Sequence, residues 1–158
     1  MVGFDRVLVV CVGNICRSPM AAVLLEARLR ERGASARVES AGLAALVGEP
    51  AAPLALELVG ERGLDLSAHR ARQLGPALVR GADLVLVMEH GHQRAVEAFH
   101  PPARGRVIPL GRWGGFDVPD PHRRGRAAFE EALALIERGI DDLERVLAGP
   151  RAAQGRSP

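Results

Sequence analysis

The feature that most constrains the fold of this chain is a short apolar run that leads directly into a loop and a helix start. Residues 7–10 read VLVV, a continuous run typical of a strand buried on both faces. Residues 11–17 then read CVGNICR, and the following Ser18-Pro19 pair predicts a helix with Ser18 as N-cap and Pro19 at the first helical position. A strand, a loop and a helix in immediate succession predict the opening unit of an α/β domain.

The rest of the chain repeats this alternation of strands and helices. Further strands are predicted over residues 37–41, 84–88 and 106–110. Helices are predicted from residue 18 to Gly33, from Pro53 onward, and over residues 89–99. Right-handed crossovers between such strands give a parallel sheet. The predicted fold is therefore a single three-layer α/β domain with a four-stranded parallel sheet flanked by helices.

The last helix has the clearest amphipathic pattern. Its apolar residues recur at helical spacing and are Phe129, Leu133, Ile136, Ile140, Leu143 and Leu147. Gly149 and Pro150 predict the end of this helix. The domain is accordingly predicted over residues 1–149, and the polar stretch 150–158 is predicted to be a disordered tail.

Composition and charge exclude several classes of protein. The chain of 158 residues suits one domain, and its 47% apolar and 25% charged residues are ordinary globular values. All 21 basic residues are Arg, but they are interspersed with acidic residues at a net charge of +2, so no nucleic-acid partner is expected. Two Cys suggest neither a disulfide framework nor a zinc site and suit a reducing compartment. Without a leader-like or membrane-length apolar run, we expect a cytoplasmic protein, a monomer that does not insert into membranes.

The loop after the first strand has the composition of an anion-binding site. In parallel α/β folds, ligands bind beyond the carboxyl ends of strands, close to a helix N-terminus. Successive backbone N–H groups and the helix dipole favour an anion there, and Gly13 and Asn14 tolerate the positive φ that such a curl needs. The residues predicted to line this phosphate site are Val12, Gly13, Asn14, Ile15, Cys16 and Ser18.

Cys11 and Arg17 supply this loop with a nucleophile and a cation for chemistry at phosphorus. The N–H donors and Arg17 favour the thiolate of Cys11, which Ser18 can further stabilise with a hydrogen bond. The planar guanidinium of Arg17 can hold two phosphate oxygens, so the loop predicts two displacements at phosphorus through a cysteinyl-phosphate. The alternative is that Cys11 is a small buried hydrophobe, since the spacing of Cys and Arg alone is a weak signal.

The same residues carry a resemblance to a known family. The segment over residues 9–19, VVCVGNICRSP, resembles the signature loop of the low-molecular-weight protein tyrosine phosphatases, and the resemblance extends from residue 7 to about residue 147. Further matching segments are ESAG at 39–42, SAHRARQ at 67–73, residues 83–89 and the Asp-Pro pair at 120–121. The stretches SAGLAALVGEPA, VMEHGH, PLGRW and DVPDPHRRG are most similar to the bacterial branch paired with autophosphorylating tyrosine kinases of capsule and exopolysaccharide export.

The resemblance implies roles for individual residues. Cys11 would be the nucleophile, Arg17 the phosphate clamp, and Asp120 the general acid that later acts as base toward water. A turn or helix-capping role is the alternative for Asp120, and Asp117 is the fallback candidate for the acid. No metal or cofactor is expected, because Arg17 and backbone N–H groups supply the charge stabilisation.

The resemblance also implies a supporting network and two pocket walls. Asn14, Ser18, Ser40 and His69 match the hydrogen-bonded network that holds the loop in shape, although Ser40 could simply end a strand and His69 cap a helix. Leu46 and His122 stand where the family's pocket walls lie, His122 in place of a frequent Tyr; the chain has no Tyr, and His122 could instead be a plain surface residue. Cys16 would either form a protective disulfide with Cys11 under oxidation or be an inert buried thiol.

The function implied is hydrolysis of phosphotyrosine in proteins, on a partner such as a bacterial tyrosine kinase that controls exopolysaccharide export. Two alternatives remain. Similar phosphoarginine hydrolases carry Thr where this chain has Ile15, whose apolar side chain favours an ester substrate. A non-catalytic phosphopeptide-binding module would not need Cys11, Ser18 and Asp120 together.

Overall fold

Four strands and five α-helices alternate along the described chain. The computed structural model describes residues 4–155, with side chains as far as residue 148. The strands are β1 (Arg6–Cys11), β2 (Arg37–Gly42), β3 (Leu84–Val87) and β4 (Val107–Pro109). The helices are α1 (Arg17–Glu31), α2 (Pro53–Gly60), α3 (Pro76–Gly81), α4 (His90–Phe99) and α5 (Arg126–Gly155), with a 3-10 turn at Pro101–Ala103.

The sheet is parallel throughout, in the order β2-β1-β3-β4. Its side chains alternate between two apolar layers. On one face, Val7 and Val9 pack into a cluster with residues of α1, α2 and α5, and on the other face Leu8 and Val10 pack with residues of α3 and α4. The predicted three-layer α/β fold with four parallel strands is confirmed, and it leaves β1 in the interior of the sheet.

The start of α1 differs from the prediction. The helix begins at Arg17, its N-cap is Cys16, and no side chain caps it, so Ser18 lies inside the first turn and Pro19 at the third position. The prediction of Ser18 as N-cap is wrong because its hydroxyl makes hydrogen bonds to Cys11 and Asn14 instead. At the other end, the left-handed Gly33 (φ 76°) follows the last turn, close to the predicted stop.

Two further elements differ from the sequence pattern. Helix α3 was not predicted, since six residues are too short to show a helical period. Helix α5 continues past Gly149 and Pro150 to Gly155, so the predicted stop is wrong; a glycine and a proline disfavour a helix interior without forbidding it. Residues 156–158 of the predicted tail lie outside the described residues, and its disorder stays a prediction.

Candidate active site

The loop between β1 and α1 lies at the carboxyl edge of the sheet, next to an interior strand. Strand β1 ends at Cys11 and α1 begins at Arg17, so residues 12–16 must turn the chain within five positions. Asn14 makes this possible with a left-handed backbone (φ 61°) that few side chains tolerate. Gly13, in contrast, does not adopt a positive φ, so that part of the prediction is wrong.

Asn14 is the centre of a buried hydrogen-bonded network that holds this loop. Its amide Nδ2 donates to Ser18 Oγ at 2.8 Å and to Ser40 Oγ at 3.0 Å. Its Oδ1 accepts from the backbone N–H of Arg72 at 2.9 Å, and its carbonyl oxygen lies 2.7 Å from His69 Nε2. The structure therefore brings together Asn14, Ser18, Ser40 and His69, and it adds Arg72, which the sequence did not indicate.

Cys11 lies at the base of the loop with its thiol against a hydroxyl. Its Sγ is 2.9 Å from Ser18 Oγ, and because Asn14 Nδ2 donates to the same oxygen, the Ser18 hydroxyl is free to donate to sulfur. Such a donor stabilises a thiolate more than a thiol. The geometry is suited to a nucleophilic sulfur.

Cys16 has a different environment from Cys11. It is buried, and burial together with the nearby charges of Cys11 and Asp120 raises its pKa to about 12 against the opposing effect of Arg17. Both cysteines are free thiols here. Cys16 therefore remains protonated at neutral pH and is a poor nucleophile.

Arg17 is an almost completely buried cation that three groups from other elements hold in place. Only 2% of it is exposed. One guanidinium nitrogen donates to Glu89 Oε2 at 2.5 Å and to the carbonyl of Val118 at 2.8 Å, and the other lies 3.9 Å from Asp120 Oδ2. Since a buried guanidinium fixed in this way cannot swing into solvent, it is preorganised to bind an anion.

Asp120 lies across a small cavity from the loop. The cavity has a volume of about 190 Å³, and its wall includes Cys11, Arg17, Asp120, Leu46 and His122. The remaining lining residues are Val12, Gly13, Asn14, Ile15, Cys16 and Ala44. Asp120 Oδ1 accepts from the backbone N–H of His122 at 3.0 Å, so the turn role foreseen for Asp120 is present, and its other oxygen faces Arg17.

Asp117, the fallback acid, is engaged elsewhere. Its Oδ1 accepts from the backbone N–H of His90 at 2.9 Å and lies 2.6 Å from His90 Nδ1. Partial burial raises its pKa, but these contacts with His90 outweigh burial and leave the pKa below its usual value. Asp117 does not line the cavity, which favours Asp120 for the acid role.

Besides Arg72, sequence reasoning missed two site residues, Glu89 and His92. Glu89 pairs with Arg17 from the residue before α4, and His92 Nε2 lies 3.5 Å from the same Glu89 oxygen. The signal was present in Glu89, an acidic residue directly after a predicted buried strand of a parallel sheet. Among residues 4–155, no group of three His, Cys, Asp or Glu side chains could hold a metal ion, and no helix is long and apolar enough to cross a membrane.

In this parallel α/β fold, an interior strand ends at a cysteine, and a loop and a buried arginine follow it. This combination is typical of the class of cysteine-dependent phosphatases. Residues 6–151 match the family described as "Low molecular weight phosphotyrosine protein phosphatase". The chain therefore belongs to this family and is a protein-tyrosine-phosphatase, as the sequence predicted.

Individual relatives agree with the family match. The chain is 50% identical over 135 residues to a probable low molecular weight protein-tyrosine-phosphatase, EpsP, of Ralstonia solanacearum, covering 85% of this chain and 90% of the relative. It is 44% identical to the Wzb phosphatase of Escherichia coli K12 with the same two coverages. Its structure is similar to that of Vibrio vulnificus Wzb in complex with benzylphosphonate, with a TM-score of 0.84 and 41% identity, over 89% of this chain and 97% of that one.

Proposed function

We propose that this phosphatase hydrolyses phosphotyrosine through a cysteinyl-phosphate formed on Cys11, with Arg17 as phosphate clamp and Asp120 as general acid and base. The observation that carries the proposal is that one cavity of about 190 Å³ is lined by all three of these residues. Their chemistry is complementary, because a nucleophile, a cation and a proton donor are the groups that cleavage of a phosphate ester requires.

In the first displacement, a bond forms between Cys11 sulfur and phosphorus while the bond from phosphorus to the tyrosine oxygen breaks. Arg17 and the loop N–H groups bind the equatorial phosphate oxygens as charge develops on them. Asp120 gives its proton to the leaving phenolate oxygen, so the leaving group departs as a neutral phenol.

In the second displacement, a water oxygen attacks phosphorus and the bond from sulfur to phosphorus breaks. The Asp120 carboxylate accepts the proton of that water, and inorganic phosphate leaves. The hydroxyl of Ser18, 2.9 Å from Cys11 Sγ, stabilises the departing thiolate.

The physiological substrate we propose is an autophosphorylated bacterial tyrosine kinase of exopolysaccharide or capsule export, met in the cytoplasm by a monomeric enzyme. The support is the similarity of the segments at residues 40–51 and 117–125 to that branch, together with the EpsP and Wzb relatives. The loop and Arg17 supply the charge stabilisation of the reaction without a cofactor.

Leaving-group dependence tests the three roles. For Cys11→Ser we expect no measurable turnover, since a hydroxyl is a far weaker nucleophile than a thiolate. For Asp120→Ala we expect kcat on a phosphotyrosyl peptide to fall about 10²- to 10⁴-fold, and less on p-nitrophenyl phosphate, whose leaving group needs no proton. Steady-state kinetics at mildly acidic pH measure both.

Asp117→Ala is the matched control for the acid. Its effect on kcat should be small and independent of the leaving group, because Asp117 contacts His90 and not the cavity. A larger and leaving-group-dependent loss in Asp117→Ala would contradict the assignment of Asp120. A phosphoarginyl peptide run in parallel separates the arginine phosphatase alternative, which the apolar Ile15 in the cavity wall disfavours.

A further inference from the structure

A second and larger cavity adjoins the phosphate cavity. Its volume is about 380 Å³, compared with about 190 Å³ for the cavity that contains Cys11 and Arg17. The two cavities share Ile15, Leu46 and His122 as wall residues. The two therefore lie side by side, so that a molecule bound in one also contacts the wall of the other. We call the larger cavity the apolar groove.

The lining of the apolar groove is mostly apolar. Apart from the shared walls, its apolar residues are Pro50, Ala51, Ala52, Pro53, Leu54 and Phe129. Phe129 and Ala51 are buried beneath it, while Leu54 is half-buried at the start of α2. The only charged or titratable side chains in the lining are Glu49, His122 and Arg123. A concave surface of this composition favours an apolar occupant.

Exposed apolar side chains lie in and next to the walls of the two cavities. Leu46 is 45% exposed, its neighbour Val47 is 69% exposed, and Val12 of the phosphate loop is 37% exposed. Leu46 and Val12 both line the phosphate cavity, so this apolar surface is continuous with the site itself. Clustered exposed apolar residues beside a binding site mark an interaction surface.

Arg123 adds a positive charge to the groove. It is exposed and, among the described residues, pairs with no carboxylate. Its neighbour Arg124 is also exposed but does not line the groove. Glu49 is the one acidic side chain of the lining, and Arg123 gives the groove its one guanidinium cation. An acidic group next to the apolar occupant is complementary to that cation.

We infer that the apolar groove binds an apolar side chain of the substrate protein, within two residues of the phosphotyrosine, with an acidic substrate residue beside Arg123. This inference rests on the proposed function, since it places the phosphotyrosine ring in the adjoining cavity. Two residues of extended chain span about 7 Å, so a side chain this near to the phosphotyrosine can reach a cavity that shares wall residues with the phosphate cavity. The groove thereby selects among phosphotyrosine sites by the residue next to the tyrosine.

Synthetic phosphotyrosyl peptides test the groove. The peptides carry Leu or Ser at each of the two positions before and after the phosphotyrosine, one position at a time. At one of these positions we expect Leu to raise kcat/KM roughly tenfold over Ser, because burying a Leu side chain contributes enough free energy for that ratio. In Leu54→Ala this Leu-over-Ser ratio should shrink to about two- or threefold.

Leu56→Ala is the matched control, since Leu56 is also half-buried on α2 but does not line the groove. It should keep the tenfold ratio.

With an Asp placed next to the favoured Leu, Arg123→Asn should lower kcat/KM about threefold and Arg124→Asn should not. Asn is chosen because Arg123 has a positive φ of 62°, which Asn tolerates.

The outcomes separate the groove from the proposed function. The groove assignment is overturned if all Leu and Ser peptides have equal kcat/KM. It is also overturned if Leu54→Ala and Leu56→Ala lose the Leu-over-Ser ratio of kcat/KM to the same extent. Neither result contradicts phosphotyrosine hydrolysis. Hydrolysis of no phosphotyrosyl peptide contradicts the proposed function and the groove with it. Self-association in sedimentation experiments that Leu54→Ala abolishes would assign the groove to a second copy of the chain and also overturn the inference.

Discussion

At the scale of single residues, the site depends on two polar side chains that do not touch the Cys11 sulfur, the buried Asn14 and the half-buried Glu89. Asn14 fixes the loop through its left-handed backbone and its amide, and Glu89 fixes Arg17 through a contact of 2.5 Å. Under the proposed mechanism, each acts on catalysis through the group that it positions. Removing either deprives a buried polar partner of a hydrogen bond, and a buried polar group that loses a partner destabilises the site.

Glu89 provides a residue-scale prediction. Glu89→Gln keeps an acceptor for Arg17 but removes the charge, and we expect kcat/KM on p-nitrophenyl phosphate to fall roughly tenfold; Glu89→Ala should lose roughly a hundredfold. Because a loosened Arg17 binds phosphate less well, competitive inhibition by inorganic phosphate should weaken in parallel. Inhibition constants and kcat/KM measured together check this.

Glu97→Gln is the control, since Glu97 lies on α4 and, in the described part of the chain, its carboxylate accepts only from Gln93 within the same helix. Its kinetics should match those of the wild type. Unchanged phosphate inhibition in Glu89→Ala would show that Glu89 does not position Arg17.

At the scale of elements, β1 and β2 must approach closely for the loop to close. Gly42 ends β2 in register with Cys11, and a Cβ built at Gly42 would lie 2.4 Å from the carbonyl oxygen of Val12. It would also lie 3.1 Å from the Cβ of Asn14. The strand end therefore accommodates no side chain without moving the phosphate loop.

Gly42→Ala should accordingly lower both stability and activity. Overpacking at this contact should cost about 2 kcal/mol, or roughly 5 °C in Tm, and the displaced loop should lower kcat/KM as well. Thermal unfolding followed by circular dichroism, together with p-nitrophenyl phosphate kinetics, measures the two effects.

Gly60→Ala is the comparison, because a Cβ at Gly60 would meet no atom within 4 Å and Gly60 lies in α2 without a positive φ. It should be neutral or raise the free energy of unfolding by up to about 1 kcal/mol. A wild-type Tm for Gly42→Ala would mean that β2 moves away from the loop at little cost.

At the scale of the whole molecule, folding lowers the pKa values of four side chains. These four shifts make the free energy of unfolding depend on pH in the acidic range. Burial, together with the positive charge of Arg17, lowers the pKa of His92 below 6.5. The nearby carboxylates act in the opposite direction without cancelling this shift; they are Glu89, Asp117 and Asp120. Asp83 and Asp65 have pKa values below 3.8 because backbone N–H groups of Arg6 and of Ser67 bind their carboxylates, and Asp117 has a lowered pKa through His90.

In each case the unfolded chain binds the proton more readily, so stability is lost as pH falls. The His92 contribution is complete above pH 6.5 and declines below it; the Asp contributions are complete above pH 3.8 and decline below it. We therefore expect the free energy of unfolding in urea to fall in two stages between pH 7 and pH 3.

His92→Gln should remove the first stage and keep the second. A first stage that survives in His92→Gln would show that another group produces it.

The sequence alone determined most of the architecture and the centre of the site. The run over residues 7–10, the loop at 11–17 and the spacing of Phe129 to Leu143 are local patterns, and a local pattern is sufficient where periodicity and sharp turns decide the structure. The α/β class, the parallel sheet and the pairing of Cys11 with Arg17 followed from them. The family resemblance extended this to Asp120 and to the partners of Asn14.

Only the tertiary structure decided which group each polar side chain contacts. Ser18 is a residue type that favours the N-cap position, but in the folded chain its hydroxyl lies against Cys11. Glu89 contacts Arg17 although the two residues are 72 positions apart in the chain. The apolar groove likewise joins residues 49–54 to Phe129, which no period in the sequence connects. Such contacts depend on how layers pack, because the free energy of a buried polar or apolar group depends on its neighbours in space and not on its neighbours in the chain.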